Sequence, residues 1–268
     1  MSPMSEGEES MVKGLYTAYT GMINEQNRMD VLSNNMANVT TVGYKKEGAT
    51  SQSFDKVLDL KIKDSTVGYN LATREGYTSR GVKIGENYTD WSQGSFRITG
   101  NTYDLALGGN GFFAVEFTNK SGETSTKYSR AGEFQLDNSG NIVTHEGDYL
   151  LDVNGRHITV DPLKETPIDR AGNVIQDGRT IAQIQVADFK NYDYLKKYGE
   201  TYWEPIQGAE MQTAEGQIYS GYLEASNVST VTEMVNLITI SRQYESNQKV
   251  IQTIDSTLEK AVNQVGKV

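Results

Sequence analysis

The last forty or so residues constrain this chain more than any other stretch. From Leu237, alternating steps of three and four reach Ile240, Tyr244, Asn247, Ile251, Ile254, Leu258, Ala261 and Val265. A repeat of 3.5 residues keeps one narrow apolar stripe turned toward a partner helix. Glu233, Arg242, Glu245, Lys249, Glu259 and Lys260 fall off that seam. The pattern predicts a helix from Ser226 to Val265 with no core of its own, so it must pack against something.

A second seam opens the chain. Val12, Leu15, Tyr19, Met22, Gln26, Met29, Ser33 and Met36 follow the same steps, and Tyr16, Ile23 and Leu32 widen the stripe. Gln26, Ser33 and Asn247 place polar groups on the two seams, where they weaken association but fix register and partner. Residues 1–10 read as a disordered leader or an appended tag, and 11–38 as the N-terminal helix. Asn34, Asn35 and Asn38 suit its C-terminus, and Gly43 frees the turn that follows. Two arrangements stay open: the terminal helices pack only within the chain, or they gain their order by assembly.

Between the helices the composition turns toward β structure. Only 37 % of the chain is hydrophobic, while it carries 26 Gly and 16 Tyr. Residues 39–84 break short apolar pieces (Phe54, Val57, Leu58) with Gly68, Gly76, Gly81 and Gly85. They are expected to be an extended bridging segment with short strands, lying along a neighbouring molecule, because long structureless loops are rare inside a compact fold. Residues 85–205 are expected to be an antiparallel β domain with one buried face. Leu105, Leu107, Phe113, Val115 and Phe117 alternate with period two, and Asn154-Gly155 and Asp177-Gly178 are type I′ hairpin signals. Residues 206–225 read as an extended return, and 226–268 as the C-terminal helix. The fold class is mainly β with terminal α-helices: an antiparallel β domain whose flanking helices pair as a coiled-coil-like inner domain.

Several chemistries are excluded or unsupported. With no cysteine, disulfides, thiolate catalysis and cysteine-containing zinc sites are absent. A net charge of -10 argues against sequence-independent nucleic-acid binding, which needs clustered cations. No apolar run approaches the ~18 residues of a membrane span, so no membrane insertion is expected, and the acidic N-terminus is unlike a cleaved signal peptide. His145 falls in a turn and His157 at a strand start, neither with a positioned partner. Asp137-Asn138-Ser139-Gly140 and Asp152-Val153-Asn154-Gly155 lack the oxygen ladder of a calcium loop. Gly108-Gly109-Asn110-Gly111 precedes a strand instead of a phosphate-binding helix. No catalytic, cofactor-binding or metal residues are expected, and no cofactor.

Three segments carry a resemblance. Ser33-Asn34-Asn35-Met36-Ala37-Asn38 with Thr41-Val42-Gly43-Tyr44-Lys45-Lys46 is the first; Gly100-Asn101-Thr102-Tyr103-Asp104-Leu105-Ala106-Leu107 followed by Gly111-Phe112-Phe113 is the second. The third runs from Ser226-Asn227-Val228 through Glu233-Met234-Val235 to Arg242-Gln243-Tyr244-Glu245-Ser246-Asn247. Together they resemble the bacterial flagellar rod and hook family of axial proteins. Met36 and Tyr44 stand where that family usually has Leu and Phe, and Ser229 and Ser246 where Asp and Ala are common. Length and a single modest β domain look like the rod members, the distal section in preference to the proximal.

The resemblance implies a structural, non-enzymatic subunit of the basal-body rod, between motor and hook, that lines the export channel. It implies type III export without a cleaved signal peptide, a helical homopolymer, and neighbouring rod and hook proteins as further partners. On it, the assembly interface is expected to include Leu15, Tyr19, Met22, Met29, Asn34, Asn35, Asn38, Gly43 and Tyr44 at one end of the chain. At the other end it takes Asn227, Met234, Leu237, Tyr244, Asn247, Ile251, Ile254 and Leu258. The alternatives are a hook or junction-type axial component, or a secreted β-domain enzyme or sugar-binding module with oligomerising tails. The lack of a catalytic constellation weighs against the last.

Overall fold

The computed structural model describes residues 6–61, 73–79, 81–120, 122–260 and 262–263. The chain divides into two compact units, one drawn from 1–36, 47–89 and 230–268, the other from 37–46 and 90–229.

The first unit is two long helices and a β ribbon. Helix α1 (Glu6–Ala37) begins inside the stretch expected to be a leader, and residues 1–5 lie outside the described residues. Strands β1 (Glu47–Ser53), β2 (Val57–Lys61), β3 (Thr73–Thr78) and β4 (Val82–Thr89) follow, and helix α2 (Thr230–Lys260) closes the unit. β1 pairs antiparallel with β4 from Glu47↔Thr89 to Ser53↔Val82, and β2 with β3 from Val57↔Thr78 to Lys61↔Thr73. The segment expected to be extended is therefore a two-stranded ribbon; Gly68 lies outside the described residues. Its outgoing strand, Glu47-Gly48-Ala49-Thr50-Ser51-Gln52-Ser53, has no apolar alternation. Backbone pairing builds it, and periodicity has nothing to detect. α2 starts four residues later than the heptad suggests; in the stretch before it, Asn227 makes backbone contacts described below.

The second unit is β throughout, apart from one short turn of 3-10 helix at Tyr192–Tyr194. Its strands are β5 (Phe96–Ile98), β6 (Leu105–Gly108), β7 (Phe112–Thr118), β8 (Thr124–Ser129), β9 (Phe134–Leu136), β10 (Ile142–Thr144), β11 (Tyr149–Leu150) and β12 (Asn173–Gln176). They continue with β13 (Arg179–Gln183), β14 (Val186–Phe189), β15 (Leu195–Tyr198), β16 (Tyr202–Pro205), β17 (Met211–Thr213), β18 (Gln217–Ser220) and β19 (Tyr222–Glu224). The main sheet runs β15-β16-β8-β7-β11-β10-β9, with β14 joined to both β7 and β17. The stretch 206–225, expected to be extended, pairs back into the unit: β18 on β6 and β19 on β5.

β7 shows why this unit is stable. Phe113 and Val115 enter a core with Leu105, Leu107, Ile142 and Leu150, while Phe112 and Ala114 enter a separate one with Tyr128, Phe189 and Trp203. Side chains alternate across a strand, so the uninterrupted run Phe112-Phe113-Ala114-Val115 is buried on both faces, not on one as the alternation suggested. The hairpin β12–β13 turns through Asp177 (φ 53°) and Gly178 (φ 72°), both left-handed as a type I′ turn requires. At Asn154-Gly155 only the glycine has positive φ (71°), so that turn is tight without being type I′.

Candidate functional site

The helix pair is where the two seams meet. An added methyl at Gly14 would lie 3.8 Å from Ile254 Cδ1, and one at Gly21 would lie 3.0 Å from Asn247 Nδ2. Seven residues forward on α1 thus match seven backward on α2, an antiparallel heptad register. The same step brings Arg28 level with Ile240, and Asn35 level with Glu233.

On α2, Leu237, Tyr244, Asn247, Ile251 and Ile254 are half-buried and Ile240 is 3 % exposed. Glu233, assigned off the seam, is wholly buried, whereas Met234 (49 % exposed) and Leu258 (40 %) face solvent. Ala261 and Val265 lie outside the described residues, as does the side chain of Val12. On α1, Leu15, Met22, Met29 and Met36 are half-buried, but Tyr19 is 51 % exposed and Gln26 and Ser33 face solvent. Ala18, Glu25 and Leu32 take those places. The register moves by one because Gly14, Ala18 and Gly21 form a small face that lets α2 approach closely. A pattern scored on apolar bulk ranks Tyr19 above Ala18.

The ribbon is fastened to α1 by side-chain amides. Asn35 donates from Nδ2 to the Glu47 carbonyl at 2.7 Å and accepts from the Glu47 N–H at 2.9 Å, closing both backbone groups at the start of β1. Asn24 donates to Ser51 Oγ at 3.0 Å. Farther along, Gly81 passes so close to Thr20 that an added Cβ would fall 2.3 Å from its hydroxyl. Eleven helical residues from Asn35 to Asn24 span roughly 16 Å, and four strand residues from Glu47 to Ser51 span roughly 13 Å. The strand therefore follows the helix closely enough for both contacts to form.

Within the β unit, the two family-like ends of the chain converge on one carboxylate. Asn34 is exposed, whereas Asn38 is buried and takes the Thr41 hydroxyl on Oδ1 at 3.0 Å. Gly43 (φ 68°) donates its N–H to the Glu224 carbonyl, and a Cβ there would sit 2.4 Å from the Ala131 nitrogen. Tyr44 is buried with Lys197 Nζ 4.5 Å above its ring. Lys45 Nζ reaches Glu224 Oε1 at 2.6 Å and the Ser92 carbonyl at 2.9 Å. Arg130 Nη1 reaches Glu224 Oε2 at 3.1 Å, and the Gly94 N–H donates to Oε1 at 2.9 Å. Asn227 completes the node: its Oδ1 accepts from Lys46 N–H at 2.7 Å, and its Nδ2 donates to the Asp90 carbonyl at 2.8 Å. Burial holds the Lys45 ammonium below its ordinary pKa, with the Glu224 carboxylate pulling the other way.

These are holding contacts. An acidic depression of about 470 Å³, lined by Gly109, Asn110, Asp188, Gln212 and Glu215 among others, has one of its two carboxylates committed: Asp188 accepts from Tyr192 Oη, Gln212 Nε2 and the Phe189 N–H. His157 stacks on Tyr149 and lies 3.4 Å from Glu116. Sequence reasoning missed Gly14, Gly21, Asn24, Lys45, Arg130, Glu224 and Glu233. A signal existed for Glu224, a charged residue set between Leu223 and Ala225 in a short apolar strand.

Comparison with known proteins bears on all three regions. Residues 15–45 match the family described as flagella basal body rod protein. Residues 106–178 match the flagellar hook protein FlgE/F/G D1 domain, and 219–265 the flagellar basal body rod FlgEFG protein C-terminal family. The flagellar basal-body rod protein FlgG of Bacillus subtilis (strain 168) is 34 % identical, over 94 % of this chain and 99 % of that protein. FlgG of Caulobacter vibrioides is 34 % identical, over 92 % and 97 %. The flagellar hook-basal body complex protein FlhO of Bacillus subtilis is 32 % identical, over 96 % and 100 %. With relatives this similar from end to end, and both terminal segments and the β unit matched in order, the chain belongs to the flagellar basal-body rod protein family.

Proposed function

We propose that this chain is a structural subunit of the bacterial flagellar basal-body rod, in its distal section, polymerising helically with copies of itself and adjoining other rod and hook proteins. The observation that carries the reading is the 34 % identity to FlgG over nearly the whole of both chains. The division of the molecule supports it physically. A β unit with two-sided burial stands on its own core, while the helix pair carries a narrow seam and leaves large apolar residues in solvent. Helices of that kind gain order when neighbours cover them. Part of the expected interface, including Leu237, Tyr244, Ile251 and Ile254, holds α2 against α1; Tyr19 and Met234 are left for contact with other molecules. The subunit leaves the cell through the flagellar export apparatus without a cleaved signal peptide, and its helices line the channel. No catalytic step is assigned to it.

The test is electron microscopy of isolated basal bodies carrying an epitope-tagged chain, with a deletion strain alongside. Label on the rod, and loss of the distal rod and hook on deletion, are expected. Label confined to the hook, or intact rods without the gene, would overturn the reading.

A further inference from the structure

Each helix of the pair carries a second apolar stripe, on the side turned away from its partner. On α2, Val231 (73 % exposed), Met234, Val235 and Ile238 recur every three to four residues; on α1, Tyr16 (62 % exposed), Tyr19 and Ile23 do the same. Solvent-facing residues of a lone helix hairpin are ordinarily polar, and the next turns of both stripes revert to that rule with Arg242 and Glu245 on α2 and Gln26 and Asn27 on α1. The stripes are thus local patches.

Their levels differ. With Gly21 opposite Asn247, the α1 stripe lies level with residues 245–252 of α2, while the α2 stripe spans 231–238. The offset is roughly 14 residues, or about 21 Å along the helix axis. Within one chain the stripes therefore cannot cover each other.

We propose that the α1 stripe of one copy docks on the α2 stripe of the next, antiparallel as in the chain's own pair and displaced about 21 Å along it. The inference rests on the rod reading above and adds which surfaces meet, and with what stagger. Such a contact joins unlike patches, so a dimer does not use it up. Combined with the displacement of about 21 Å, which carries each copy along the axis, it generates a helical array instead of a ring. The chemistry matches: a flexible Met thioether and β-branched side chains facing two tyrosine rings and an isoleucine. The area also points to a second copy of the chain in an assembly. The exposed parts of these seven side chains sum to roughly 700 Å² of apolar surface, about half of what a stable two-body interface buries. One contact alone is weak. A subunit inside the array is held through both stripes, one to each neighbour, while a free subunit, with neither stripe covered, stays monomeric. A lipid surface fits less well, since a net charge of -10 is repelled by anionic headgroups.

The absence of cysteine makes the test clean. Full-length Tyr19→Cys and Val235→Cys chains are co-expressed in flagellated cells, basal bodies are isolated and oxidised, and dimers are resolved without reductant. A disulfide forms only where Cα atoms come within about 7 Å. The expected result is at least tenfold more Y19C–V235C dimer than in a control pairing of Y19C with Glu259→Cys. Three results would overturn the proposal: no enrichment in assembled rods, dimers from Y19C alone (a symmetric contact), or adducts only to a different axial protein. In each of these the rod reading stands. Absence of the chain from basal bodies would overturn both.

Discussion

The two units of this molecule spend their buried volume differently. The β unit buries rings and branched aliphatics: Phe112, Phe113, Phe134, Phe189, Leu105 and Ile142 are all essentially inaccessible. Among the described residues, the helix–ribbon unit fully buries only Ala18 and Ile240 of its apolar side chains, and beside them Asn24, Asn35 and Glu233. Hydrophobic burial contributes energy without direction, whereas a buried amide contributes little net energy and strict geometry. One unit is held mainly by bulk, the other by directed polar contacts that fix its register.

Tryptophan fluorescence can separate the two, because Trp91 and Trp203 both belong to the β unit and touch one another at 4.5 Å. The largest effect is expected from Phe113→Ala, which opens a cavity between β7 and β9 and should destabilise the β unit by about 3–5 kcal/mol, read as an early urea midpoint in tryptophan emission. An unmoved midpoint would break the contrast at its strong end. Asn35→Leu comes next. It removes both bonds of the bracket and leaves the Glu47 N–H and carbonyl without this partner, at about 2–3 kcal/mol. Helical ellipticity and resistance to proteolysis in 47–89 should fall while the tryptophan transition stays in place. Coincident transitions would mean the units unfold as one.

The smallest effect is a pH dependence confined to the β unit. Tyr202 Oη donates to Asp148 at 2.7 Å, and burial together with that carboxylate raises its phenol above the ordinary tyrosine value. A group whose folded pKa exceeds its unfolded one stabilises fully below the unfolded value and loses that contribution as pH rises past it. Tyr202→Phe should therefore cost about 1–2 kcal/mol at pH 8, and its deficit against the parent chain should shrink above about pH 10. A deficit that is constant across that range would remove the ionisation from the account.

How much of this was legible beforehand depends on whether a contact leaves a mark in side-chain bulk. The α2 seam was readable because Leu237, Ile240, Tyr244, Ile251 and Ile254 are bulky and regularly spaced. The α1 register was half readable: Leu15, Met22 and Met29 sit where the spacing puts them. The alternate positions were lost, because close approach is made by Gly14, Ala18 and Gly21, which score as absence. The ribbon was invisible for the same reason, its first strand being Gly, Ala, Thr, Ser and Gln. Phe112 could have disclosed the second core face, since it stands beside Phe113 and breaks the alternation of Leu105, Leu107, Phe113, Val115 and Phe117. The family-like motif quoted Lys45 without its partner, which lies 179 positions away.

That separation has a consequence in time. A chain is made N-terminus first, so Gly43, Tyr44 and Lys45 exist long before Glu224 does. Contacts across so large a loop form late, after the entropy of closing it has been met by other contacts. Until Glu224 arrives, the ammonium of Lys45 and the guanidinium of Arg130 would be two like charges brought together with nothing between them, and the segment 38–46 has every reason to remain in water. The node thus works as a latch that only an almost complete polypeptide can close, and a chain cut short before β19 keeps its leading segment open.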